Sequence, residues 1–244
     1  MHIMPINVLL ALMVIASFLL AIALHEYGHA TMALWLGDHT PQAAGRQTLN
    51  PRSHLDPVGT LMCVLLAFQP YLAIGFGWGK PVKPDPWKMR LGADAGVLTV
   101  AWAGILFSLV VGALISVVVG FVYPFLVDNA VSLRLLQLLV VFASVNFSLA
   151  LFNLLPIYPL DGYQIVYTLL PSRQAVQFAR SAPYGPFIIL AIFFLLPFLG
   201  QLSGLGDFPL FRLAYYIWLG SMYLTSLVVA PFHVPFDVAL LYLH

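Results

Sequence analysis

Charge is what this chain has least of. Only 8% of its 244 residues are Asp, Glu, Lys or Arg, against roughly a quarter in a soluble domain, and 61% are hydrophobic. With a mean hydropathy of +0.96, that balance excludes a soluble globular domain and points to a multi-pass membrane protein. A net charge of +1 leaves little to attract nucleic acid or to build a polybasic patch for anionic lipid. Cysteine occurs once, as Cys63, so no intrachain disulfide can form. The opening "MHIMPINVLL" has no basic segment ahead of its apolar run, so no cleaved signal peptide is expected. Long polar stretches are missing too. The longest, residues 37–56, falls far short of the ~50 residues an independent domain needs. Glutamate occurs once, at position 26.

What is present is a series of apolar runs, and a helical crossing of a bilayer takes about 20 such residues. They lie at about 6–36, 57–77, 95–126, 133–155, 186–199 and 210–231. The second is interrupted by Gln69-Pro70 and ends in Gly75 and Gly77, which suits a re-entrant or in-plane segment. The expected fold class is an all-α multi-pass membrane protein: about five transmembrane helices plus that segment near 57–77. The Gly, Pro and Asn punctuation of residues 37–56 also allows a short β-hairpin, centred on 46–50. "GWGKPVKPDPWKMR" (77–90) carries too many prolines to be helical for most of its length.

Within the first run stands "LHEYGH" (24–29). Four residues apart on a helix, His25 and His29 stack on one face, where both imidazoles can reach one zinc ion. Glu26 points roughly 100° away around the helix, beside the metal and not on it, where a carboxylate can take a proton from water. Ionisable groups are costly in a bilayer and mark functional sites there, so the setting strengthens the metal reading over satisfied polar residues in a bundle. A catalytic zinc needs a third protein ligand. The best candidate is Asp161 in "LFNLLPIYPLDGYQIV" (151–166), where Pro156 and Pro159 break the helix and Gly162 follows. Equally, Asp161 could be the N-cap of the helix that begins near Tyr163.

HEYGH on an early membrane helix followed by "NLLPIYPLDG" on a later one resembles the site-2 proteases, zinc metalloproteases that cut within membranes. "GDHTPQAAGRQTLNPRSHLDPVGTL" (37–61) and "GWGKPVKPDP" (77–86) look like signature segments of a compact branch lacking a PDZ domain. The resemblance covers roughly residues 20–170. It implies one Zn2+ per chain held by His25, His29 and Asp161, with Glu26 as general base and Asn153 binding the substrate carbonyl or oxyanion. It also implies a membrane-protein substrate cut in or near a transmembrane helix, in regulated intramembrane proteolysis. Two departures stand out. "AGILFS" (103–108) replaces an A-G-P-x-x-N element, with Ile105 for the proline and Ser108 for the asparagine, and Tyr158 stands where relatives commonly have proline. The chain is expected to be a single integral membrane domain over 1–244, with a catalytic core at about 6–170 and C-terminal helices at about 184–231.

Residue order gives an independent check. For Asp161 to meet the histidines, the first and fourth runs must point the same way, so one run between them cannot be a full crossing. If 57–77 does not cross, eight basic residues (Arg46, Arg52, Lys80, Lys83, Lys88, Arg90, Arg173, Arg180) share the metal side, against Arg134 and Arg212 opposite. That bias places the metal-proximal loops of a cell-membrane protein in the cytoplasm. The 57–86 region is the candidate for admitting or clamping substrate.

Other polar residues read as structural. His54 and Asp56 in "HLDP" suit turn capping. His2, His39, His233 and His244 are bystanders, and Asp128, Asp207 and Asp237 lie near run ends. Trp78, Trp87, Tyr215, Tyr216 and Trp218 suit an interfacial aromatic belt. The competing functions are a metal-binding or transport protein using the same ligands and a catalytically silent scaffold homologue. The oligomeric state is not legible.

Overall fold

The computed structural model describes residues 7–69, 74–127, 130–206 and 208–232, with Val234 and Tyr242. His2, Pro70, Asp128, Asp207, His233, Asp237 and His244 lie outside the described residues.

Runs of Leu, Val, Ile and Ala with little charge become helices because a helix satisfies every backbone polar group from within, as lipid requires. Five helices are long and apolar enough to cross a membrane. α1 (Val8–Trp35) starts where Asn7 Oδ1 accepts the Leu10 N–H at 3.0 Å. The next element, α2 (Pro57–Ala67), has 11 residues, and a helix of that length spans about 16 Å, half a bilayer core. α3 (Ala93–Leu126) and α4 (Ala130–Asn153) follow, then the short α5 (Asp161–Leu169). α6 occupies Ser172–Ser203 and α7 Leu213–Val229. α6 is longer than the apolar run 186–199 that announces it. Polar residues 172–180 extend it, and a π turn at Ala191–Leu195 just ahead of Pro197 absorbs that proline's missing N–H.

α4 is the central helix, packed against α1, α3 and α7. Its apolar face (Leu136, Val140, Val141, Ala143, Leu149) is fully buried. Contacts set the directions of the bundle. His25 and His29 of α1 bond to Ser108 and Val100 of α3, so sequence rises on one helix as it falls on the other. α3 likewise runs antiparallel to α4: the Gly112 backbone meets Phe147, whereas the earlier Ile105 packs with the later Ala150. α1 and α4 are therefore parallel, as the shared site demands.

α2 is re-entrant in form. Its start and the extended return of the chain lie together: Leu55 pairs with Gly79 in an antiparallel bridge, and the Lys80 N–H donates to His54 O at 2.7 Å. The two backbones pass so closely that a Cβ on Gly59 would sit 2.2 Å from Trp78 O. Phe76 on the return stacks on Phe152 of α4, centroids 5.3 Å apart, and meets Phe193 of α6 edge-on.

Two sequence expectations are corrected. No hairpin forms in 37–56, and the Leu55–Gly79 bridge is the only β pairing among the described residues. In 46–50 the one large apolar side chain, Leu49, is exposed, so a strand there would have nothing to bury. The polar side chains instead close turns: Asp38 on the Thr40 N–H, Asn50 on that of Arg52. The aromatic belt also fails in part. Trp87 is 88% exposed, but Trp78 and Trp218 are buried, at 4% and 6%. Trp78 is part of the re-entrant return and is buried in the main apolar core, and Trp218 packs against Tyr215 and Tyr242.

Candidate metal centre

α1 carries His25 and His29 to the bundle interior, 2% and 5% exposed. Their Nε2 atoms are 3.1 Å apart. The broken chain after α4 brings in Asp161, whose Oδ2 lies 3.1 Å from His25 Nε2 and Oδ1 3.2 Å from His29 Nε2. The N-cap of α5 is Leu160, with no side-chain cap, and Asp161 is the first helical residue. Its carboxylate therefore faces the two histidines and does not cap the helix it begins.

These atoms suit a cation. His29 Nδ1 lies 2.7 Å from Val100 O, a carbonyl that can only accept, so Nδ1 carries a proton and Nε2 is the nitrogen turned to the centre. His25 Nδ1 is held 3.0 Å from Ser108 Oγ, a hydroxyl able to play the same part. Asp161 Oδ2 is buried and receives no hydrogen bond. One candidate ligand atom from each of three residues thus faces the others, all within 4.8 Å. Ligands about 2.0–2.1 Å from a tetrahedral zinc lie about 3.3 Å from each other, close to the spacings here. Two imidazoles, one carboxylate and an open side make the donor set of a catalytic zinc site. Room for it comes from α3: a Cβ on Gly104 would fall 2.2 Å from His29 Nε2. Ser108, in place of the asparagine of relatives, thus has a local duty that its spacing did not announce.

Glu26 is also buried, on the wall of a cavity of about 220 Å³ that His25, His29, Asn153, Tyr158 and Asp161 share. Its Oε2 accepts the Val82 N–H at 3.1 Å. Its Oε1 abuts Gly79, where a Cβ would come within 2.9 Å. Asn153 lines the same cavity. Its Nδ2 donates to Leu149 O at 2.9 Å, and its Oδ1 faces the Asp161 N–H at 3.5 Å.

The segment over the cavity, residues 80–86, contains Pro81, Pro84 and Pro86, and it is tied to the loop after α1. Asp38, fully buried, accepts the Asp85 N–H at 2.7 Å and the Thr40 N–H at 2.9 Å. Burial opposes its ionisation, but the hydrogen bonds from Thr40 and Asp85 prevail and hold its carboxyl below the usual range. Arg46 donates to the carbonyls of Ser53, Lys80 and Pro81. Asp56 caps α2 through the N–H groups of Val58 and Gly59. His54, with its pKa lowered by burial, stays neutral and donates from Nε2 to Thr48 O. Both residues of "HLDP" are structural. His39 is held to nearby Gln42.

The model of peptidase family M50 matches residues 59–196, a span that takes in Asn153 and Asp161 but not HEYGH. A relative from Bacillus subtilis (strain 168), provisionally named zinc metalloprotease YwhC, is 34% identical over 185 residues, covering 75% of this chain and 80% of its own. Two mycobacterial proteins, each provisionally named zinc metalloprotease Rip2, are 29% identical. The one from Mycobacterium tuberculosis (strain ATCC 25618 / H37Rv) aligns over 74% of this chain and 66% of its own. The one from Mycolicibacterium smegmatis aligns over 78% and 69%. No solved structure matches. With a buried His–His–carboxylate centre inside a bundle of apolar helices, the chain belongs to peptidase family M50, the site-2 protease family of intramembrane zinc metalloproteases.

Proposed function

We propose that this protein hydrolyses a peptide bond in or near a transmembrane helix of a membrane-protein substrate. In this reading His25, His29 and Asp161 hold the zinc and Glu26 is the general base. The observation that carries it is the convergence of three ligand atoms within 4.8 Å, with the only glutamate of the chain on the same cavity wall. Zinc, when bound, supplies Lewis acidity, polarising a carbonyl and lowering the pKa of water towards 7. Glu26 has Oε2 engaged by Val82, which leaves Oε1 to take the proton of the attacking water and deliver it to the leaving amine. Asn153 spends one amide hydrogen on Leu149 O and keeps the second for the substrate carbonyl oxygen. Peptide bonds in a helix are shielded, so the substrate must unwind locally, and the extended return of 57–86 is where it would be received, as an added strand.

The metal-proximal loops face the cytoplasm in this proposal. The parallel course of α1 and α4 and the re-entrant form of α2 support it, since they gather eight of ten basic residues at the zinc end. A transporter would need a polar path across the bundle. Here Gln137 and Asn146 are tied to backbone carbonyls, of Tyr242 and Phe142, and form no such chain.

Glu26→Gln tests the reading on a reporter with a single membrane-spanning helix, with zinc measured in both proteins. Cleavage is expected to fall about 10²–10⁴-fold while zinc is retained; equal cleavage by both proteins refutes the general-base role. Ser108→Ala removes the partner of the His25 ring and is expected to weaken zinc about 10–100-fold in competition with a chelator.

A further inference from the structure

We propose that Arg46 is a positioning residue for Glu26, acting through the strap 80–86. This deepens the reading of Glu26 as general base and rests on it. Arg46 lies outside the cavity and touches none of the residues at the metal centre. Its planar fork joins two segments: one nitrogen donates to Ser53 O, the other to Lys80 O at 3.1 Å and Pro81 O at 3.4 Å. The next residue, Val82, gives its N–H to Glu26 Oε2. The strap has few other means of holding its place. Pro81, Pro84 and Pro86 have no N–H, the Lys80 N–H goes to His54 O, and that of Asp85 goes to Asp38. The Glu26 carboxylate is thus clamped between a strap anchored at Arg46 on one side and at Asp38 on the other. The clamp consumes Oε2 and leaves Oε1 beside Gly79, which lines the same cavity and, lacking a Cβ, leaves space there. A carboxylate free to rotate would spend little time in reach of the water it must deprotonate, and misplacement on the scale of 1 Å costs a catalytic group up to about 10²-fold.

The test compares kcat, KM and bound zinc of the zinc-loaded full chain on the single-span reporter for Arg46→Ala, Val82→Pro and the double variant. Val82→Pro deletes the N–H that reaches Glu26 and reshapes one side chain of the cavity wall, in a strap already rich in proline. Each single change is expected to lower kcat about tenfold or more, with KM within about twofold and zinc unchanged. The double variant should be no slower than the slower single one, because both break the same clamp. Millimolar guanidinium should restore Arg46→Ala in part and leave Val82→Pro unaffected. A rise in kcat, an effect confined to KM, loss of zinc from Val82→Pro, or additive losses in the double variant would overturn the proposal. Failure of the general-base reading shows separately, as full cleavage by Glu26→Gln. In that background Arg46→Ala is expected to change kcat no further.

Discussion

Gly104→Ala is expected to abolish zinc binding, although Gly104 ligates nothing. The added methyl group would lie 2.2 Å from His29 Nε2, 2.3 Å from its Cε1 and 2.9 Å from His25 Cε1. Neither ring can retreat easily. His29 is pinned through Nδ1 to Val100 O and His25 to Ser108, both on the same helix as the new methyl, so a shift relieving the clash breaks these bonds. Alanine favours a helix over glycine by about 1 kcal/mol, so the fold of α3 should survive while its fit to α1 does not. Metal analysis of the purified protein should give near-zero zinc with far-UV circular dichroism unchanged. Wild-type zinc content in Gly104→Ala would mean that α3 does not press on the metal centre.

The contrast between Gly104 and His25 shows what was legible in the sequence. HEYGH could be read because its geometry is local: a four-residue spacing on a helix places two rings on one face without reference to the rest of the chain. Asp161 needed the helix-breaking prolines and the family resemblance, since a lone aspartate before a glycine is equally a cap. The re-entrant α2 was legible from Gln69-Pro70 and two late glycines, and the demand for parallel α1 and α4 gave a second, independent route to it. Gly104, Ser108, Val100, Val82 and Arg46 act only across elements, through contacts 34 to 83 residues apart in sequence where the span is recorded, and no spacing rule encodes those. The hairpin expected in 37–56 failed for a related reason. Turn residues punctuate a loop whether or not a strand lies between them, and only burial, absent at Leu49, would have told the cases apart. Trp78 misled because an aromatic beside a polar loop reads as interfacial until the return segment that carries it is seen to pack into the core.

Asp161→Asn is expected to release the metal while leaving the helix it begins intact. The substitution preserves volume and replaces a carboxylate with a neutral amide, a poorer zinc ligand. Because Leu160, not Asp161, is the N-cap and no side-chain cap bond exists, α5 loses no local hydrogen bond of the kind that would unravel its first turn. The two histidines keep their outer bonds to Ser108 and Val100 and remain a two-ligand site. Changing an outer-shell partner already costs about 10–100-fold in affinity, so loss of a direct ligand should weaken zinc by more than about 100-fold, with cleavage falling in step. Glu26→Gln should do the opposite, holding zinc and losing only the reaction. The pair therefore separates the metal-binding carboxylate from the proton-carrying one: zinc retained by both variants would remove Asp161 from the ligand set, and zinc lost from both would make Glu26 a ligand instead of a base.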